Sequence, residues 1–208
     1  MRVPQLHLVT DPDVCPFDRL LALLPDLVAA GVDAVHVRAP DRAAGELLAV
    51  AQVARRLIVP PAVLLVNDRV DVALLSEADG VQLPERGLPP EGARRLLGRG
   101  RLVGCSVHSV TAAERAAQVG ADFLLFGNVY ETASKPGRAA AGLAALQAVV
   151  RAVSCPVVAI GGITPERVPA VLAAGAHGVA VIRAILAATD PVATVQAFRA
   201  ALDGVGEV

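Results

Sequence analysis

The chain contains few aromatic residues, and this scarcity excludes several classes of protein. Of its 208 residues, 2% are Phe, Tyr or Trp, and Trp is absent. Proteins that bind single-stranded nucleic acids stack bases on aromatic side chains, and those that bind duplexes carry a basic surface. Here acidic and basic residues are interleaved and sum to a net charge of −1. We therefore expect no nucleic-acid partner.

Long apolar runs and paired cysteines are also missing. No apolar stretch reaches the roughly 18 residues of a membrane-spanning helix without a charge, and the first residues do not resemble a secretory signal peptide. The three cysteines, Cys15, Cys105 and Cys155, lie far apart without a CxxC or Cys/His spacing. The sequence predicts a cytoplasmic protein with no membrane association and no structural zinc.

Lysine is the scarcest charged residue: 18 of the 19 basic residues are Arg, and Lys135 is the only Lys. It lies in a long polar loop after the apolar run 123–126. Lysine offers a compact charge with three rotatable donors, whereas arginine offers a rigid planar fork. Either Lys135 meets a phosphate or a developing anion, or it is a solvated loop residue.

Short apolar runs that alternate with helical patterns dominate the rest of the chain. The predicted strands lie near 6–9, 34–37, 62–66, 80–83, 102–105, 123–126, 157–160 and 178–181. The predicted helices lie near 17–30, 42–57, 70–76, 89–97, 111–119, 139–153, 165–174 and 192–203. Uniformly apolar strands are typical of a parallel sheet that is buried on both faces. Eight such units predict a single-domain (β/α)8 TIM barrel over residues 1–208. A doubly wound open sheet is the alternative, although no GxGxxG follows the first strand.

Local signals support several of these boundaries. Asp18 and Thr111 occupy N-cap positions, and Glu114 stands three residues after Thr111, the spacing of a capping box. Three glycines follow helices directly before strands: Gly31, Gly120 and Gly175. Glycine in this place commonly ends a helix.

In a TIM barrel the active site lies at the carboxyl ends of the strands. The polar residues that follow the predicted strands are Thr10, Asp11, Arg38, Asn67, Asp68, Arg69, Glu85, Ser106, His108, Asn128, Glu131, Thr132, Lys135 and Arg183. After the seventh strand come Gly161 and Gly162, followed by a helix start. Bare backbone N–H groups there bind anions, so these glycines and Arg183 predict a phosphate site.

Three other residues have two interpretations each. Asp68 either caps the next helix or ligates Mg²⁺, which prefers oxygen ligands and usually more than one carboxylate. His108, in a polar loop, is a candidate acid/base because histidine titrates near neutral pH; it could equally be a surface residue. His36 points either into the barrel or toward the helices.

Motifs across almost the whole chain resemble the thiamine phosphate synthase/TenI superfamily. They are VTD, VNDR, ADGVQL, GCSVHS, GADFLLFGNVYETASKPG, PVVAIGGI and AAGAHGVAVI. The resemblance implies a (β/α)8 barrel and one of two activities. Thiamine phosphate synthases join a pyrimidine pyrophosphate to a thiazole phosphate with Mg²⁺. TenI-like proteins are thiazole tautomerases, which aromatise a carboxythiazole phosphate tautomer.

Two departures from the synthase pattern favour the tautomerase. QLREK appears as HVRAP, so Arg38 is kept but Pro40 replaces the Lys that would meet the pyrophosphate. HLGQEDLP appears as QLPERGLP, so Gly87 replaces a metal-binding Asp and leaves Asp68 without its partner. Losing both groups should weaken charge stabilisation of a departing pyrophosphate.

One departure points the other way. TenI-like tautomerases carry a proton-transferring His directly after the FG of the sixth strand, where this chain has Asn128. Asn does not exchange a proton near neutral pH. Another group, His108 or His36, would then have to transfer the proton.

The expectation from sequence is a metal-independent thiazole tautomerase that needs no cofactor. His108, Lys135 and Asn128 would be catalytic. The substrate-binding residues would be Arg38, Asn67, Ser106 and Thr132, and the phosphate would contact Gly161, Gly162, Ile182 and Arg183. The first alternative is a thiamine phosphate synthase with a reduced Mg²⁺ site of Asp68 and Glu85. The second is a non-catalytic regulatory protein that binds thiazole or thiamine phosphates. The partner is a small thiazole phosphate in each case, and a homo-oligomer is possible.

Overall fold

Eight parallel strands close into a barrel in the computed structural model, which describes residues 2–134, 137 and 139–204. The strands are β1 (Leu6–Val9), β2 (Ala34–Val37), β3 (Val63–Asn67), β4 (Gly80–Leu83), β5 (Leu102–Val107), β6 (Phe123–Gly127), β7 (Val157–Ile160) and β8 (Gly178–Val181). Each strand pairs with its neighbour in chain order, and β8 pairs with β1. The predicted (β/α)8 TIM barrel is confirmed.

Helices separate consecutive strands and cover the barrel. They are α1 (Phe17–Ala29), α2 (Ala44–Leu57), α3 (Val70–Leu75), α4 (Pro90–Leu97), α5 (Val110–Gln118), α6 (Gly142–Ala152), α7 (Val168–Ala173), α8 (Arg183–Leu186) and α9 (Pro191–Asp203). A short 3-10 helix, Pro165–Arg167, precedes α7. Lys135 and Arg138 lie outside the described residues. Within the described residues, no helix has the length and apolarity to cross a membrane.

Two predicted helix caps are wrong. The side chain of Ser109 accepts a hydrogen bond from the backbone N–H of Ala112, so α5 begins before Thr111. Asp18 lies inside the first turn of α1, whose N-cap is Pro16. Sequence spacing alone did not separate a capping residue from a first-turn residue, because several polar residues lie at the same boundary. The three helix-ending glycines do adopt positive φ, from 93° to 121°.

Two apolar layers account for the core. The larger lies between the outer faces of the strands and the helices. The smaller fills the barrel interior with Val9, Ala34, Val63, Leu65, Leu102, Phe123, Leu125, Val158 and Ala180. Burial of strands on both faces explains their continuous apolar runs. The barrel therefore holds the strand ends rigidly, and the loops that follow them build the site.

Candidate active site

Two pockets lie at the carboxyl-terminal rim of the barrel, over different groups of strands. The first is a cavity of about 360 Å³ at the ends of β6, β7 and β8. Its lining brings together six residues predicted from sequence: Asn128, Thr132, Gly161, Gly162, Ile182 and Arg183. The second, of about 200 Å³, lies at the ends of β2, β3 and β4 and includes Arg38 and Asn67.

The backbone after β7 packs closely against the loop after β6 at the first pocket. Gly162 has φ +64°, and a Cβ added there would lie 2.4 Å from the carbonyl oxygen of Glu131. No larger residue fits this position without moving the neighbouring loop. Arg167 braces the turn, since its Nη1 donates to the carbonyl of Gly162 at 2.5 Å and its guanidinium lies 4.4 Å from the centre of the Tyr130 ring. The first pocket thus has a firm wall made of backbone.

The segment after β8 completes that wall. Ile182 is the N-cap of the short helix α8, and the exposed Arg183 is its first residue. Loops after β7 and β8, together with a short extra helix, frequently bind phosphate in this fold. The sequence did not predict α8, because four residues are too few for a helical periodicity to be visible.

The second pocket contains more charged groups. Its lining includes Arg38, Arg42, Asp68 and Arg69. Arg69 is bound to the carboxylate of Asp71, whereas no ion pair within the described residues involves either of the other two arginines. Two guanidinium groups are thus available to an anion in this pocket.

Arg42 is a residue that sequence analysis missed. It is exposed, lies just before α2 and lines the second pocket with Arg38. Pro40, the position at which the synthase pattern carries a Lys, lines the same pocket. The position of Arg42 in the sequence could have predicted this placement, because it lies two residues after Pro40 in a loop that follows a strand end.

Thr10 fixes the backbone that carries Arg38. Its buried hydroxyl accepts a hydrogen bond from the Arg38 N–H at 2.8 Å and donates one to the Arg38 carbonyl at 2.9 Å. This reciprocal pair joins the ends of β1 and β2. The guanidinium of Arg38 therefore extends from an anchored position.

Asp68 is the carboxylate of the second pocket. It adopts φ +62° directly after β3. A Cβ added to Gly87 would lie 2.9 Å from Asp68 Oδ1, so position 87 adjoins this carboxylate. Among the described residues there is no group of three or more His, Cys, Asp or Glu side chains that could hold a metal ion.

His108 and Glu85 bind each other at the rim. His108 Nδ1 lies 2.6 Å from Glu85 Oε2, and both side chains are partly exposed. His108 lines neither of the two pockets. Under the synthase alternative, the sequence suggests Glu85 as a second Mg²⁺ ligand beside Asp68. In the structure the carboxylate of Glu85 binds His108 instead.

The remaining predicted residues divide between pocket and interior. Asn128 lines the first pocket, and its Nδ2 donates to the carbonyl of Tyr130 at 3.2 Å. Ser106 lines neither pocket and accepts a hydrogen bond from Gln82 Nε2 at 3.0 Å. His36 points into the barrel, where its Nε2 lies 2.8 Å from His7 Nδ1. This contact decides the orientation that the sequence left open.

Comparison with known proteins identifies close relatives. The model of the TMP-TENI family, described as thiamine monophosphate synthase, matches residues 6–185. A putative thiamine-phosphate synthase of Geobacter sulfurreducens is 46% identical over 188 residues, covering 89% of this chain and 88% of that protein. A thiamine-phosphate synthase of Haloquadratum walsbyi is 38% identical, covering 96% and 91% respectively. The structure of a thiamine phosphate pyrophosphorylase from Pyrococcus furiosus superposes with a TM-score of 0.87 at 33% identity, covering 97% of this chain and 96% of that one.

These relatives correct the expected activity. The tautomerase interpretation is wrong, because the two relatives compared by sequence are named thiamine-phosphate synthases and the similar structure is named a thiamine phosphate pyrophosphorylase. The interpretation relied on the substitutions at Pro40 and Gly87. In the structure, Arg42 lies in the same pocket as Pro40. The pocket therefore keeps a second cation although Pro40 replaces the Lys of the synthase pattern. The predicted superfamily itself is confirmed, and the chain belongs to the TMP-TENI family of thiamine monophosphate synthases.

Proposed function

We propose that this chain is a thiamine-phosphate synthase, a transferase that joins a pyrimidine pyrophosphate to a thiazole phosphate. The observation that carries the proposal is the second pocket, with Arg38 and Arg42 beside Asp68. An isomerase with one phosphorylated substrate needs one anion site. Condensation of two phosphorylated substrates needs two, and two pockets lie at this rim.

The first pocket would hold the thiazole phosphate. Backbone N–H groups near Gly161, Gly162 and Ile182 would contact the phosphate, and Arg183 would add positive charge at the edge. Thr132 lines the same pocket from the loop after β6 and offers a hydroxyl. A pocket wall made of backbone loses little conformational entropy on binding, so it suits a small anion.

The second pocket would hold the pyrophosphate. Guanidinium groups bind phosphate oxygens through two parallel hydrogen bonds and keep their charge at any physiological pH. Arg38 would bind from a backbone fixed by Thr10, and Arg42 would serve in place of the cation missing at Pro40.

The residues present fit a Mg²⁺ ion that is held largely by substrate. Mg²⁺ commonly takes one or two protein carboxylates and completes its shell with phosphate oxygens and water. Asp68 provides one carboxylate at the pocket that would hold the pyrophosphate, and within the described residues that carboxylate is in no ion pair. Bound Mg²⁺ would neutralise charge on the leaving pyrophosphate.

In this reaction the main role of the protein would be to position the two substrates. The lone pair of the thiazole nitrogen forms a bond to the exocyclic carbon of the pyrimidine, while the bond from that carbon to the pyrophosphate oxygen breaks. The electron pair leaves with the pyrophosphate, and the product carries a thiazolium cation. Arg38 and Arg42 would stabilise the charge that develops on the leaving group. The two pockets would hold the reacting atoms together.

The test is condensation by the purified protein with both substrates and Mg²⁺, followed by chromatography of thiamine phosphate and by pyrophosphate release. Asp68→Asn should reduce turnover by at least tenfold. Asp26→Asn is the matched control, because Asp26 is an exposed carboxylate on α1 that lines neither pocket and forms no ion pair within the described residues. Binding of both substrates without product would overturn the proposal and leave a ligand-binding protein.

A further inference from the structure

Two histidines lie in the barrel interior among apolar side chains. His7 and His36 are both fully buried, and their ring centres lie 5.1 Å apart. Phe123 packs against His7 with the ring centres 5.4 Å apart. Burying two imidazoles is costly unless their nitrogen atoms are hydrogen-bonded. The proposed reaction assigns neither residue a role, so their arrangement needs its own explanation.

The hydrogen bonds of His7 determine its tautomer. Its Nε2 lies 3.0 Å from the carbonyl oxygen of Pro4, which can only accept, so Nε2 carries the proton. Its Nδ1 lies 2.8 Å from Nε2 of His36. In a neutral ring Nδ1 of His7 is then an acceptor, and Nε2 of His36 must be the donor.

Both rings are neutral near pH 7. Burial lowers the pKa of His7 to about 4. Burial, reinforced by the neighbouring His7, lowers the pKa of His36 well below its usual 6.5. Since Nε2 of His36 holds its single proton, Nδ1 of His36 is left as an acceptor that needs a donor.

Asn67 lies where that donor is needed. Asn67 ends β3, in which Leu65 lies opposite His36, and Leu65 faces the barrel interior. Asn67, two positions later, faces the same side, and its side chain acts on the pKa of His36 through a hydrogen bond. Within the described residues, His36 Nδ1 and Asn67 Oδ1 are both buried without a hydrogen bond of regular geometry. Two acceptors cannot form a hydrogen bond with each other. Turning the carboxamide by 180° resolves the conflict, because Nδ2 then donates to Nδ1.

We infer that His7 and His36 are positioning residues that orient the carboxamide of Asn67. The chain of donors runs from Asn67 through His36 and His7 to the carbonyl of Pro4 at the floor of the barrel. Asn67 lines the second pocket. Its Oδ1 then faces substrate as an acceptor for an N–H donor, which selects a heterocycle bearing an amino group over one bearing a carbonyl. This inference rests on the proposed function for the identity of that substrate.

The direct test is nitrogen-15 NMR of the four histidines in the intact protein at pH 6–8. Long-range proton–nitrogen correlations distinguish the two neutral tautomers and the cation. We expect His7 and His36 to be neutral with the proton on Nε2 in both. A proton on Nδ1 of either ring, or a charged ring, would overturn the inference. This measurement needs no turnover, so its result does not depend on whether the protein catalyses the proposed condensation.

Variants test whether the chain acts on substrate. His7→Phe removes the acceptor for His36, and we expect a KM for the pyrophosphate substrate raised about tenfold, the effect of one hydrogen bond, with an unchanged KM for the thiazole phosphate. The single variant His36→Gln, with His7 intact, should keep a normal KM, because one carboxamide can donate to His7 and accept from Asn67. His177→Phe is the matched control, since His177 also bonds a backbone carbonyl, that of Val3, at 2.8 Å. Equal effects of His7→Phe and His177→Phe on both KM values would show a merely structural role.

Discussion

Replacing Gly87 with Asp tests the metal-binding role of Asp68 most sharply. A Cβ at position 87 would lie 2.9 Å from Asp68 Oδ1 and 2.8 Å from the ring of Pro84. The new carboxylate would therefore stand beside Asp68, at the cost of a small displacement of the Asp68 side chain and the Pro84 ring. Gly87→Asn has the same shape without the charge and is the control for that displacement.

The magnitude follows from the charges. Two carboxylates about 5 Å apart in a water-like medium repel by about 1 kcal/mol. A Mg²⁺ ion about 4 Å from the added carboxylate gains about 2 kcal/mol, which corresponds to roughly thirtyfold tighter binding. Gly87→Asp should therefore lower the protein's stability without metal and raise its affinity for Mg²⁺.

Two measurements check this prediction. Pyrophosphate release is followed as a function of Mg²⁺ concentration, and the midpoint should fall for Gly87→Asp but not for Gly87→Asn. Thermal unfolding without Mg²⁺ should give a lower Tm for Gly87→Asp than for Gly87→Asn, and Mg²⁺ should reduce or reverse the difference. If the two variants share one midpoint and one Tm response, Asp68 is not at the metal site and the reasoning fails.

Three further predictions concern the pockets and the core. Arg38→Ala and Arg42→Ala should each raise the KM for the pyrophosphate substrate about tenfold or more, and a normal KM in steady-state kinetics would remove that arginine from the site. Gly162→Ala should lower the free energy of unfolding more than Gly98→Ala, because both glycines have positive φ but only Gly162 has a carbonyl oxygen within 2.4 Å of the added Cβ; equal denaturation midpoints would contradict this. The pKa of His7 is lowered from 6.5 to about 4, so folding is fully favoured above pH 6.5 and loses roughly 3 kcal/mol as the pH falls to 4. His7→Phe should reduce the difference in the free energy of unfolding between pH 7 and pH 5, measured by denaturant titration at each pH. The same difference in the variant and the original protein would refute this prediction.

Local patterns in the sequence determined the architecture of this protein. The uniformly apolar runs predicted all eight strands, and Gly31, Gly120 and Gly175 marked helix ends that do have positive φ. These features are local: a strand buried on both faces needs mostly apolar residues on both sides, and a left-handed helix end favours glycine. The motifs that resemble the thiamine phosphate synthase superfamily likewise led to the correct family.

Only the tertiary structure decided how the rim residues combine. Arg42 joins Arg38 in one pocket, and His108 binds Glu85 rather than lining either pocket. His36 faces the interior and meets His7, which lies 29 positions away. A strand without apolar and polar alternation carries no signal of which face is inside, and side chains from different loops meet only when the barrel closes. For that reason the sequence determined the barrel and its rim, while closure of the barrel determined which charges face each pocket.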